Sequence, residues 1–152
     1  MQVNSVNLRE QMNRAIKSIV IPEFKKQGFV GKYPHFKRIK ADNIDLLTFQ
    51  FNKYGGSFCV EISVAYPNRE EYRNYHLFEG DTLEKINACH THERHRLARK
   101  TADCDCWFAF DESNTNEVAN HILMLLPSAY KWWENPPIME QLERRKQNGL
   151  LY

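Results

Sequence analysis

The chain lacks a long apolar run. Nothing in it approaches the roughly 20 consecutive residues that a membrane-spanning helix needs, so no membrane span is expected. Its first ten residues, MQVNSVNLRE, lack an apolar stretch, so no secretory signal is expected and the cytoplasm is the expected location. Internal repeats and low-complexity tracts are missing, which argues against solenoids and arrays. A nucleophile elbow, a phosphate-binding loop and an HExxH pair are also missing, so no common catalytic signature supports an enzyme. The chain has little charge imbalance, with a formal net charge of +2. That small value hides a basic first third: residues 1–41 carry nine Lys/Arg against two Asp/Glu. Acidic residues interrupt every later basic stretch, so nucleic acid is not the expected partner.

What is present suits one globular domain spanning residues 1–152. The chain is 42% hydrophobic and 26% charged, ordinary values for such a domain. A chain of this size buries roughly 68–70% of its unfolded surface, so its core needs no disulfide or metal to support it. With no secretory signal expected, the four cysteines (Cys59, Cys89, Cys104, Cys106) are expected to stay reduced.

Residues 36–66 carry the clearest local pattern. Three strands are predicted at 36–40, 44–54 and 57–66, joined by connections short enough only for antiparallel pairing. Gly55-Gly56 marks a hairpin, because a tight hairpin turn needs positive φ. In the third strand Phe58, Val60, Ile62, Val64 and Tyr66 alternate with Cys59, Glu61, Ser63 and Ala65, so one face is expected in the core and the other open. Leu47, Phe49 and Phe51 form the matching apolar face of the second strand; its other face, Leu46, Thr48, Gln50 and Asn52, is mixed, so this strand is expected to be central and partly covered on both sides. Two further strands are predicted, at 90–97 and 103–110, after a polar, Tyr-rich excursion.

Helices are predicted on either side of these strands. Leu8, Met12, Ala15, Ile16, Ile19 and Val20 make a stripe of period 3.6 over residues 7–27, with Asn7 as cap, Pro22 as a kink or break, and Gly28 as the stop. A second helix is predicted over 113–131 with an interruption at Pro127, and a third over 138–148. The fold class is therefore α+β: an antiparallel sheet of about five strands with three helices packed mainly on one face.

Several segments carry a family resemblance. Gln27-Gly28-Phe29, the strand His35-Phe36-Lys37-Arg38, and Phe49-Gln50-Phe51-Asn52-Lys53-Tyr54-Gly55-Gly56-Ser57-Phe58 are similar to the bacterial family called domain of unknown function 4304. His95-Arg96-Leu97-Ala98, the strand bearing Trp107 and the segment 127–133 fit its layout as well. The resemblance covers most of the chain, with residues 67–88 matching least, and the His/Cys-rich stretch departs from it. It implies an α+β domain and supplies no catalytic residue.

Two places invite chemistry. The polar sheet face would present Gln50 and Glu61, with Arg94, Arg96 and Trp107 joining from the later strands; two guanidinium groups beside an indole suit a small anionic ligand or a protein partner. A solvated face laced with cross-strand ion pairs is the plainer account of the same residues. The second place is the cluster Cys89, His90, His92, His95, Cys104 and Cys106, whose thiolates and imidazoles are zinc's preferred ligands. Its spacing matches no standard structural zinc pattern, so no cofactor is assigned; a small metal-dependent or thiol enzyme built on Cys89, His92, His95, Cys104 and Cys106 is the alternative function. The adjacent Trp132 and Trp133 cannot both face the core from one regular helix, so either one is exposed or the pair packs on both sides of an irregular helix junction before Pro136.

Overall fold

The computed structural model describes residues 5–66, 86–88, 94–98 and 105–136. Helix α1 opens as an α-helix over Ser5–Ala15, widens to a π turn over Ile16–Val20 and resumes over Ile21–Lys26. Six strands form one sheet: β1 (Val30–Lys32), β2 (His35–Ile39), β3 (Ile44–Phe51), β4 (Ser57–Ala65), β5 (His95–Arg96) and β6 (Phe108–Ala109). Helix α2 (Thr115–Glu134) follows. The sheet runs β1-β2-β3-β4-β5 with every neighbour antiparallel, and β6 pairs with the other end of β4.

The α+β class and the antiparallel sheet stand as expected; the helix count does not. Two helices are present among the described residues, and the helix expected over 138–148 lies outside them. So do the Tyr-rich excursion at 67–80 and the first residues of both late strands. Among the described residues these late strands pair over two residues each; Cys106, at φ +56°, does not extend the pleated ladder ahead of β6. Strand β1 has no counterpart among the expected elements. Its residues Val30, Gly31 and Lys32 are all exposed, so no alternation marked it.

Both expected helix breaks are absorbed. Proline has no N–H, and its ring crowds the carbonyl four residues earlier. Just before Pro22 the ladder switches register: the Ile21 N–H donates to Ile16 O, one residue further back than in an α-helix. The wider turn accommodates the proline, and α1 continues. Asn7 lies inside this helix and so does not cap it. Gly28, at φ +94°, ends it: its N–H donates to Lys25 O at 3.0 Å and the Phe29 N–H to Phe24 O at 3.2 Å, a Schellman pair. Helix α2 continues without a break through Pro127 to Glu134, burying Thr115, Ala119, Ile122, Leu126, Ala129 and Trp133 along one stripe.

The register decides the faces. Leu47 pairs with Ile62, Phe49 with Val60 and Phe51 with Phe58, and this side meets both helices. Phe24, Phe29, Phe36, Phe49 and Phe58 stack edge-on and tilted through that core. The opposite side is not open. Thr48, Cys59, Glu61 and Ser63 are all buried, and Ile86 and Ala88 gather with Ile44, Leu46 and Ala65 into a second apolar cluster. The expected uncovered polar face is thus corrected: a sheet this central is covered on both sides. The β3–β4 loop also differs, since it spans residues 52–56, with Asn52 N–H bonded to Ser57 O at 2.9 Å.

Candidate functional site

The antiparallel pairing of β4 with β5 sets Glu61 opposite Arg96. Glu61 sits in the middle of the sheet, where a carboxylate out of water requires cationic or N–H partners. It has two. Arg94 Nη1 donates to Glu61 Oε2 at 2.6 Å, and Arg96 Nε lies 3.6 Å from Oε1. The Glu61 side chain is 3% exposed while those of Arg94 and Arg96 are 37% and 25% exposed, so the carboxylate lies beneath a rim of guanidinium groups. The buried thiol of Cys59 stands 4.0 Å from Oε1, on the same face of β4.

Arg96 is held from two further directions. Its Nη1 donates to the Asp105 carbonyl at 2.7 Å, and its guanidinium lies 5.0 Å from the centre of the half-exposed Trp107 ring. Residues 94–96 and 105–107 are therefore clasped across the end of the sheet. Two guanidinium groups on one carboxylate leave one positive charge in excess, beside a flat aromatic surface. Such a rim can accept an anion.

Four of the five residues expected at the site thus come together: Glu61, Arg94, Arg96 and Trp107. Gln50 is exposed and shares their face, but it sits one same-face step, about 7 Å, along β3 from Thr48, the residue that pairs with Glu61. Glu61 is buried beneath the two arginines that pair with it, so its carboxylate is placed to position them.

Of the cysteine and histidine cluster, Cys89, His90, His92 and Cys104 lie outside the described residues. His95 pairs with Ile62 and so points to the helical side, away from Arg96; its ring stacks on Trp132 at 5.5 Å and 10°. Cys106 is half-buried. Among the described residues no three His, Cys, Asp or Glu side chains are grouped to hold a metal. Of the two readings of the tryptophan pair, packing is the one observed: Trp133 is buried in the core and Trp132 is half-buried under His95.

A second charged cluster was missed from the sequence. Asp45, fully buried, takes Arg38 at 2.8 Å and Lys40 at 2.9 Å. Arg38 in turn lies 4.8 Å from the Phe29 ring centre and 5.8 Å from that of Trp133. The opposite charges at residues 38 and 45, set symmetrically about the 40–43 turn, were the available signal. Basic residues of the first third are spent on such internal contacts, as with Arg9 over Phe51 and Lys17 over Tyr33.

No helix among the described residues is long and apolar enough to cross a membrane. No curated protein and no solved structure matches the chain. The family model Domain of unknown function (DUF4304) matches residues 20–135, from the π turn of α1 to the end of α2, and the chain belongs to that family.

Proposed function

We propose that the chain is a non-catalytic cytoplasmic binding domain that holds a small anionic ligand, free or carried by a protein partner, at the Arg94–Arg96–Trp107 rim. One observation carries this reading: both guanidinium groups are braced from below by a single buried carboxylate, and one keeps an aromatic ring at 5.0 Å. Bracing lowers the entropy lost when the arginines close on an anion. The surplus positive charge supplies attraction, and Trp107 supplies a surface for a planar or apolar portion of the ligand.

The test is titration with citrate and inorganic phosphate at low salt, followed by NMR of the arginine Nε–H signals. Binding should perturb Arg94 and Arg96, weaken as salt is added, and fall about tenfold in R94Q or R96Q. W107A should weaken it by a smaller factor. Binding that is unchanged in the R94Q/R96Q double variant, or the absence of any response from those two residues, would overturn the assignment.

A further inference from the structure

Arg94 and Arg96 both meet Glu61, but with different atoms. A guanidinium has two edges on which an oxyanion can seat two oxygens: the side edge, Nε with Nη2, and the end edge, Nη1 with Nη2. Arg96 has neither edge whole. Its Nε faces Glu61 Oε1 at 3.6 Å, and its Nη1 donates to the Asp105 carbonyl at 2.7 Å. Each edge of Arg96 has therefore given one of its two nitrogens to the protein.

Arg94 is placed otherwise. Its Nη1 donates to Glu61 Oε2 at 2.6 Å, and that is the one hydrogen bond it makes among the described residues. Nε and Nη2 are left, so the side edge is whole. Arg94 is also the more exposed of the two side chains. Cationic N–H groups without a protein acceptor are held by water, and an oxyanion can take the place of that water. The bond from Nη1 to the buried Glu61 fixes one corner of the group, so less freedom is lost when the anion arrives. Arg96, caught between Glu61, the Asp105 carbonyl and the Trp107 ring 5.0 Å away, is fixed on every side.

We infer, on the basis of the anion rim proposed above, that the rim selects oxyanions and that Arg94 makes the paired contact. A carboxylate or phosphate seats two oxygens on Nε and Nη2 of Arg94. Arg96 attracts it by charge and keeps Trp107 in place. A halide has a single centre and cannot take the two parallel N–H groups in this way. A lysine at position 94 keeps the charge and loses the fork.

The probes are inorganic phosphate and acetate, with chloride at equal ionic strength as the control, and the readout is NMR of the arginine Nε–H signals. Phosphate or acetate should move the Arg94 signal further than the Arg96 signal, and the larger response tells which oxyanion suits the site. Chloride should move neither beyond the common effect of salt. This comparison needs no variant. R94K should weaken binding about tenfold with the charge unchanged, read from the backbone amides of residues 94–98. R96K, which keeps the charge, should weaken it only about twofold. Without any anion, R96K should shift the Trp107 indole N–H signal, identified by its loss in W107F, and R94K should not. Wild-type affinity in R94K, or chloride moving Arg94 as far as the better oxyanion does, would overturn the inference. A response from Arg96 alone would overturn it and leave the anion rim standing; no response from either arginine would end both.

Discussion

The Trp133 indole N–H donates to the carbonyl of Ser63 at 2.8 Å, joining the last turn of α2 to the central strand β4 across 70 positions of sequence. Its neighbour Trp132 has no such partner. The two residues therefore separate hydrogen bonding from bulk. W133F should cost about 2–4 kcal/mol, from a lost buried hydrogen bond plus a cavity. W132F should cost about 1 kcal/mol or less, since no bond is broken. Urea unfolding of the two variants is the measurement, and equal losses would contradict the packing described.

Among the described residues Asp45 is the one anion paired with Arg38 and Lys40. Removing one member of a buried ion cluster leaves the others uncompensated. Lys40 is 36% exposed, so water offsets part of that loss. D45A should destabilise by about 3 kcal/mol and D45N by less, read from chemical denaturation.

Glycine is needed in different degrees at two places. Gly31 has φ +134°, and a Cβ there would lie 2.6 Å from His35 O, inside the β1–β2 hairpin whose link is Tyr33–Pro34. Gly56 has φ +78° with open space around it. G56A should cost about 1 kcal/mol, the strain of a positive φ alone. G31A adds a backbone clash and should cost distinctly more, with the loss localised to β1 and β2 in amide hydrogen exchange.

Alkaline pH should act through two tyrosines. Burial holds the Tyr33 hydroxyl well above the ordinary tyrosine range, where it donates to Asn13 Oδ1 at 2.6 Å. Burial also raises Tyr130, less strongly opposed by Arg38. A folded-state pKa above the unfolded one gives stability that is complete below about pH 10 and is lost as pH rises through the folded value, because the unfolded chain ionises first. Stability should therefore fall above about pH 10, and Y33F should flatten that fall. Absorbance titration at the phenolate band, with unfolding curves at each pH, checks both.

The local elements were readable because their signals are local. Alternation of Phe58, Val60, Ile62 and Val64 depends on residues two apart, and the stripe from Leu8 to Val20 on residues three and four apart. The stop at Gly28 and the hairpin at Gly55-Gly56 are single-residue backbone demands. The effect of the prolines was harder to read for the converse reason. Whether Pro22 breaks a helix depends on the ladder around it, and a one-residue register switch at Ile16 removes the conflict.

The pattern of residues alone determined an antiparallel α+β domain and the apolar face of β3 and β4, and it singled out Glu61, Arg94, Arg96 and Trp107 as candidates. Tertiary structure decided where those groups sit. Cover on the second face buries Glu61 beneath Arg94 and Arg96, while β5 sends Arg96 and His95 to opposite sides of the sheet. Periodicity records which way a side chain points within its own element. Whether water or another segment awaits it there depends on partners such as Arg94 and Ser63, 33 residues from Glu61 and 70 from Trp133, which no local pattern encodes.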